Sequence, residues 1–201
     1  MSSELLMTFL LFAFVSSITP GPNNIMLLSS GVNFGFRRTI PHMSGVSLGF
    51  SAMVLVVGVG LGAVFMHYPV MYTALRYISA LYLIYLAGKI AFSGAPMKSN
   101  VTAKPITFWQ AVAFQWVNPK AWLMSVAAIA AYAPEQHFTS SIIFISIIFI
   151  LFVAPCSILW TAMGHWIKQF FSHSWHLRAF NIVMAGLLLL SLYPLFSEAV
   201  I

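Results

Sequence analysis

FQWVNPKAWLM, residues 114–124, lies inside an apolar run that is long enough to cross a bilayer. Proline removes a helical hydrogen bond, so Pro119 predicts that the helix is broken here. A charge at membrane depth is costly and is a functional hypothesis by default, which singles out Lys120. Irregular backbone at that depth is tolerated where it is buried in protein or lines a cavity. The stretch therefore predicts a broken membrane helix beside a polar site.

A second break interrupts the first apolar run of the chain. It reads Thr19-Pro20-Gly21-Pro22-Asn23-Asn24. A helix over residues 5–18 reaches about 21 Å and one over 106–117 about 18 Å, whereas the hydrocarbon core is about 30 Å thick. Both breaks are therefore expected near the membrane midplane. Interrupted apolar segments at corresponding places in two halves of a chain are the best sequence indicator of a transport site.

Composition predicts an integral membrane protein. Of 201 residues, 61% are hydrophobic and only 6% are charged, whereas soluble domains carry about 25% charged residues. The single cysteine, Cys156, allows neither a disulfide within the chain nor a CxxC pair, which disfavours a membrane thiol-redox carrier. The net charge of +6 is not clustered on one soluble face, so we expect no nucleic-acid partner.

Six apolar stretches predict six transmembrane helices, because each approaches the roughly 20 residues needed to span the bilayer. They lie at about Leu5–Ser30, Met43–Met66, Val70–Phe92, Ile106–Ala133, Ser140–His165 and Phe180–Phe196. The most polar connection, 93–105, divides them three and three, and three helices alone could hardly enclose a site. We therefore expect an all-α integral membrane protein with one transmembrane domain over 1–201. It would consist of halves 1–92 and 106–201 joined by a cytoplasmic linker, 93–105.

The basic residues predict the orientation. Seven of them fall in or beside the first, third and fifth connections: Arg37, Arg38, Lys89, Lys98, Lys104, Lys168 and Arg178. Only Arg76 falls on the other side, so the positive-inside rule places both termini in the periplasm. Glu4 is found where a cleavable signal would carry positive charge, so we expect the first span to stay in the mature protein.

Because each half has three spans, the two halves enter the membrane from opposite sides, as in transporters built from inverted repeats. The break motifs Thr19-Pro20 and Asn118-Pro119 lie 99 residues apart, which fits a 3+3 inverted repeat with helices 1 and 4 broken near the midplane. Structural kinks with a lysine that snorkels to the interface are the alternative. The match between two such breaks, and the apolar residues on both sides of Lys120, favour a functional site.

The chemistry of the breaks predicts an anion site. Pro22 suits the first turn of a new helix, and Asn118 can cap the helix that begins at Pro119. Each helix start exposes N–H groups and a partial positive charge, to which Lys120 adds a full one, so a carboxylate would bind here. Ser17 offers a further neutral hydroxyl. The candidate substrate-binding residues are Thr19, Pro20, Gly21, Pro22, Asn23, Asn24, Gln115, Asn118, Pro119 and Lys120.

The predicted spans contain no buried acid, because all three acidic residues lie near span ends. A cationic substrate would need a buried carboxylate partner, whereas the ammonium of a neutral amino acid could meet carbonyls and Asn oxygens. Any exchanged proton would have to be carried by Lys120, His42 or His165. Small residues in the second span, such as Gly45 and Gly49, predict close helix packing. Pro155-Cys156-Ser157, with Trp160 and Thr161, is either a kink or part of the pathway.

Enzymatic chemistry has no support in this pattern. No Ser/His/acid set lies within the predicted spans. His173 and His176 have the spacing of helical metal ligands, but no Cys, Asp or Glu lies beside them, so surface histidines are the simpler interpretation. We therefore expect no catalytic residue, no metal and no cofactor. The expected partners are a small amino acid substrate and the lipid bilayer, and self-association is left open.

The residues of these motifs resemble the LysE/RhtB family of bacterial amino acid exporters over nearly the whole chain. The matching segments are Thr19–Asn24, Gly35–Arg37, Gly45–Phe50, Tyr82–Lys89 and Asn118–Lys120. The Asn-Asn pair after Pro22 and the stretch 108–118 look most like the branch that exports cysteine and O-acetylserine. The resemblance implies export to the periplasm across the bacterial inner membrane, driven by the proton gradient. The family takes its name from the export of lysine, but the lack of buried acids disfavours lysine as the substrate of this chain.

The sequence thus predicts a secondary transporter that exports small neutral amino acids or derivatives, such as cysteine, O-acetylserine, homoserine or threonine. A channel, or a structural subunit of a larger membrane complex, is the main alternative. A membrane thiol-redox carrier is disfavoured by the single cysteine.

Overall fold

The computed structural model of the chain describes residues 3–61, 69–92, 104–171 and 174–193. All regular structure within these ranges is helical, which confirms the all-α prediction. The α-helices are α1 (Ser3–Ile18), α2 (Pro22–Phe34), α3 (Phe36–Val56), α4 (Pro69–Ala91), α5 (Phe108–Gln115), α6 (Pro119–Tyr132), α7 (Phe138–Ile167) and α8 (Ser174–Leu190). A π-helical turn, Val57–Leu61, follows α3, and 3-10 turns at Glu135–His137 and Lys168–Phe170 flank α7.

Two described helical segments, Phe36–Gly60 and Phe138–Phe170, are long and apolar enough to cross a membrane. The pair α1 and α2 would add a third as one span bent by 49°. Ala80–Ala91 and Trp175–Leu190 are shorter apolar helices. The full set of six spans and the 3+3 repeat stay predictions. Nearly all of the linker (93–103), and parts of the second and sixth predicted spans, lie outside the described residues.

Helix α2 occupies the centre of the fold, with most of its residues from Pro22 to Val32 buried. It packs against α3, α7 and α8. Its contact with α7 is backbone to backbone at two glycines: a Cβ on Gly31 would overlap the Thr161 carbonyl oxygen, and one on Gly164 would overlap the Leu28 carbonyl oxygen. Small residues let helices approach this closely when both surfaces are apolar. The paired glycines therefore set how close α7 comes to the first break.

Helix α3 meets α5 in the same manner. A Cβ on Gly45 would overlap the Phe108 carbonyl oxygen, and one on Gly49 would lie 2.8 Å from the Cα of Val112. The close packing predicted for the second span is thus confirmed. A hydroxyl pair, Ser51 and Ser146 with their oxygens 2.6 Å apart, joins α3 to α7. These contacts hold α5, which leads into the second break, against the helices around α2.

Two apolar clusters support this arrangement. One is centred on aromatic side chains, in which the Phe149 ring meets Phe50 edge-on at 5.0 Å and Phe9 at 5.7 Å. The other packs α2 against α4, α5 and α8 through residues such as Met26 and Leu83. A reciprocal amide pair, Asn33 with Asn181, lies partly buried between α2 and α8, with hydrogen bonds of 2.8 and 3.0 Å. The breaks between α1 and α2 and between α5 and α6 lie beside these clusters, with Asn24 and Asn118 buried and Thr19 and Pro20 exposed.

Candidate functional site

The structure brings the two sequence breaks into direct contact. Helix α1 ends at Ile18 and α2 begins at Pro22, while α5 ends at Gln115 and α6 begins at Pro119. The Lys120 ammonium donates to the Thr19 carbonyl oxygen at 2.7 Å and to the Thr19 hydroxyl at 2.9 Å. Residues 101 positions apart in the chain therefore share one polar contact.

A second bridge joins the same two segments. Asn23 donates its side-chain amide to Gln115 Oε1 at 2.8 Å, and Gln115 returns a hydrogen bond to Asn23 Oδ1 at 3.2 Å. Gln115 is completely buried and also donates to the Ala111 carbonyl at 2.9 Å. Because both amides are occupied by each other, this pair holds the start of α2 against the end of α5.

The start of α6 has the predicted cap. The Asn118 side-chain oxygen accepts from the Lys120 backbone N–H at 3.1 Å, and Pro119 occupies the first helical position. An extended Asn118 (φ −90°, ψ 109°) turns the chain into this helix. Helix α2 begins differently: Pro22 follows an extended Gly21, and no side chain caps the start. The Asn118 cap of α6 thus fixes the backbone from which the Lys120 side chain extends.

Side chains from three other helices satisfy the carbonyl end of α1. Asn24 on α2 donates to the Ser17 and Thr19 carbonyls at 2.9 and 2.8 Å. Trp160 on α7 donates to the Ile18 carbonyl at 3.2 Å. The last carbonyls of a helix lack internal donors and carry partial negative charge, which is why the Lys120 ammonium is stabilised here. The sequence predicted this ammonium beside helix starts, and in the structure it also contacts the carbonyl end of α1.

A cavity of about 40 Å³ lies between the breaks. Its polar lining residues are Ser16, Ser17, Gly21, Asn23, Asn24, Asn118 and Lys120, and its apolar ones are Val46, Phe50, Ala121, Met124 and Val153. One water needs about 10–15 Å³ on this scale, so the cavity has room for about three. A small polar solute is the kind of ligand that such a lining accommodates.

Five of the ten candidate residues line the cavity: Gly21, Asn23, Asn24, Asn118 and Lys120. The others lie at its edge, where Thr19 and Gln115 bind lining residues and the three prolines shape the breaks. Sequence reasoning missed the wall contributed by Val46, Phe50 and Val153. Those residues carry no local signal, because apolar side chains in apolar helices look alike whether they face lipid, core or cavity.

Lys120 is the titratable residue in the lining, and Cys156 lies close enough to interact with it. His42 on α3 is completely buried, and neither ring nitrogen has a hydrogen-bond partner within the described part of the chain. His165 is exposed near Gly35. No group of three His, Cys, Asp or Glu residues suited to a metal occurs among the described residues. His173, from the weak metal pattern, lies outside them.

Glycine at position 21 is explained by space and not by backbone conformation. Its φ of −171° and ψ of 176° are extended values open to any residue. A Cβ there would lie 2.7 Å from Lys120 Cδ and 3.2 Å from Lys120 Nζ. Glycine therefore leaves the volume through which the lysine side chain reaches Thr19.

Replacing Gly21 by alanine is expected to displace the Lys120 ammonium without unfolding the protein, because the end of a lysine side chain can move at little cost. If this cavity binds a solute, its binding should weaken by about ten-fold, because the displaced ammonium no longer lies where it would donate a hydrogen bond to the solute. One hydrogen bond to a charged group is worth roughly 1.5–3 kcal/mol. Binding and the melting temperature in detergent are measured together. Gly88→Ala is the matched control, since a Cβ there meets nothing within 4 Å. Unchanged binding in Gly21→Ala would contradict the steric explanation.

Known proteins resemble the chain over almost its full length. A family model described as LysE type translocator matches residues 14–192, which include both breaks and every cavity-lining residue. A cysteine/O-acetylserine efflux protein of Escherichia coli O139:H28 is 34% identical over 192 residues, covering 94% of this chain and 96% of that protein. The protein of the same name from Salmonella typhimurium LT2 is 33% identical over 190 residues, covering 94% and 95%. No solved structure matches the chain.

Proposed function

Since the chain belongs to the LysE type translocator family, we propose that it exports small neutral amino acids or their derivatives across the bacterial inner membrane. The observation that carries the proposal is the contact of Lys120 with Thr19, through which both helix breaks share one polar cavity. Cysteine and O-acetylserine are the first candidates, because relatives at about 34% identity are named as efflux proteins for them. Homoserine and threonine have the same chemistry.

The charge of the lining supports a neutral substrate. Lys120 is a cation, and no Asp or Glu occurs among the residues that line the cavity. A second positive charge on the substrate would be buried beside Lys120 with no carboxylate to pair it. A zwitterion adds no net charge, and its carboxylate would bind the Lys120 ammonium. Asn24, Asn118 and the Asn23–Gln115 pair would supply the neutral polar surroundings.

We assign the transport cycle to alternating access between two halves, 1–92 and 106–201, in one domain of six spans with both termini in the periplasm. The bridges Lys120–Thr19 and Asn23–Gln115 both join the first half to the second. Rocking of one half against the other would break and re-form them. Prolines 20, 22 and 119 would keep the helices open at the pivot, because a continuous helix would close the site.

Proton exchange is part of the proposal, with Lys120 as the carrier, because it is the titratable group that lines the cavity together with the substrate. His42 is buried without a partner, and His165 is exposed. Efflux driven by a pH gradient is therefore expected to persist in His42→Gln and in His165→Gln. Loss of gradient-driven efflux in one of them, with counterflow retained, would assign the proton to that histidine instead.

Counterflow in proteoliposomes tests the function. Vesicles loaded in turn with cysteine, O-acetylserine, homoserine, threonine, leucine or lysine are assayed for uptake of the labelled compound. We expect saturable counterflow that is fastest for the small neutral compounds and weakest for lysine. A leak that neither saturates nor responds to internal substrate would identify a channel and reject the transporter. Lysine as the best substrate would reject the charge argument.

A further inference from the structure

We propose that the end of α1, at Ser17 and Thr19, is the subsite for the substrate α-ammonium and that Lys120 occupies it when no substrate is bound. This inference rests on the proposed function and adds where each charge of the zwitterion binds. Its first support is that an ammonium already lies there. Lys120 Nζ is within 2.7 and 2.9 Å of two Thr19 oxygens, the arrangement that a primary ammonium of a substrate would adopt.

The second, independent support is an unpartnered hydroxyl in the cavity wall. Ser17 is buried, lines the cavity, and its Oγ has no hydrogen-bond partner. Its neighbours differ, since Ser16 Oγ donates to the Phe12 carbonyl at 2.6 Å and Thr19 Oγ1 to the Ser16 carbonyl at 3.1 Å. A buried polar atom without a partner is unfavourable, so a ligand atom or a water that hydrogen-bonds to it would be stabilised there. The Lys120 ammonium does not reach it, but a substrate ammonium with three N–H donors can satisfy it by lying closer to Ser17.

The carbonyls of this subsite are held in place before any substrate arrives. Asn24 binds the Ser17 and Thr19 carbonyls, and Trp160 binds the Ile18 carbonyl. These bonds use the side-chain N–H groups of α2 and α7, so the end of α1 is fixed from two directions. A preorganised acceptor set binds a cation without further ordering of the chain. The negative end of the helix replaces the carboxylate that the cavity lining lacks.

Exchange of one ammonium for another keeps the local charge unchanged. The substrate ammonium would take the Thr19 oxygens, and the displaced Lys120 ammonium would bind the substrate carboxylate. The net charge of the cavity is then the same before and after a zwitterion binds; for proton exchange, Lys120 would release its proton to the cytoplasm before the loaded site opens outward and regain one as the zwitterion leaves. A compound with only the ammonium would add a cation beside Lys120, and one with only the carboxylate would leave the Thr19 oxygens without an ammonium. A molecule with both groups should therefore bind more tightly than one with either group alone.

The test compares O-acetylserine with two analogues that each lack one group. 3-Acetoxypropionate lacks the amine and 2-aminoethyl acetate lacks the carboxylate; both are tested as inhibitors of O-acetylserine counterflow. In the double variant Ser17→Ala/Thr19→Val, we expect the KM for O-acetylserine to rise about ten-fold, because hydrogen bonds to a charged group are lost. The inhibition constant of the analogue without an amine should stay unchanged. The ratio of the inhibition constant of 3-acetoxypropionate to the KM of O-acetylserine should therefore fall by the same factor.

Controls separate this role from a structural one. Thr8→Val removes a hydroxyl from the exposed side of the same helix, where it bonds to the Glu4 carbonyl, and should leave both constants unchanged. Thr19→Ser keeps a hydroxyl at position 19 and leaves Ser17 unchanged, so it should retain the discrimination. If the double variant weakened the binding of O-acetylserine and of the analogue without an amine equally, the proposed subsite would be overturned. Absence of amino acid counterflow in the unmodified protein would instead reject the proposed function.

Discussion

Lys120→Met is expected to lower amino acid counterflow by about 100-fold or more while leaving the protein folded. The substitution keeps a similar length and volume but removes the charge that would bind the substrate carboxylate. A charge-assisted hydrogen bond contributes about 1.5–3 kcal/mol, and the lysine would offer two to a carboxylate. Folding should persist because Asn24 still binds the Thr19 carbonyl and the Asn118 cap uses the backbone of residue 120.

The matched control is Lys168→Met, which removes a cation from an exposed position in the 3-10 turn after α7. It should keep counterflow near that of the unmodified protein. Counterflow rates and melting temperatures in detergent are measured for both variants. Counterflow in Lys120→Met that equals that of the control would show that the lysine is a structural element only.

Gly164→Ala is expected to destabilise the fold more than any change in the cavity. The added Cβ would overlap the Leu28 carbonyl oxygen, which is backbone and cannot rotate away. Helices α2 and α7 would have to separate along a contact that also includes Gly31. Overpacking of this kind costs about 3 kcal/mol or more, and for a chain of about 200 residues that lowers the melting temperature by about 10 °C.

Gly186→Ala provides the comparison, because a Cβ at that position on α8 meets nothing within 4 Å. Alanine there should leave the melting temperature unchanged or raise it slightly, since alanine favours helix more than glycine does by about 0.5–1 kcal/mol. Thermal unfolding of the purified proteins in detergent measures both. Equal melting temperatures for the two alanine variants would mean that α2 and α7 are not in backbone contact.

The location of the breaks was predictable because each is a local effect of particular residues. Pro22 and Pro119 suit the first turn of a helix, two prolines in three residues disfavour continuation of α1, and an asparagine before proline is a favoured helix cap. That the second span packs closely against another helix was likewise visible from the spacing of Gly45 and Gly49, although its partner α5 was not. In each case one or two neighbouring residues decide the conformation, so the printed sequence carries the information.

The partners across the cavity were not predictable in the same way. That Lys120 would bind the carbonyl end of α1, and Asn23 the amide of Gln115, depends on how helices about 100 residues apart pack. Hydrophobic pattern, the usual guide to packing, is weak in a membrane protein, because lipid and protein interior are equally apolar. The wall residues Val46 and Phe50 were missed for the same reason.

Substrate protection of a single cysteine in the cavity tests most directly whether the two breaks form one substrate site. Ser16, which lines the cavity, is replaced by cysteine in a Cys156→Ser background, and the rate of modification by a methanethiosulfonate reagent is measured with and without O-acetylserine. Ser140→Cys, at an exposed site in the first turn of α7, is the control. We predict several-fold slower modification at position 16 and no change at position 140. Equal rates at position 16 with and without a compound that the protein transports would contradict the account.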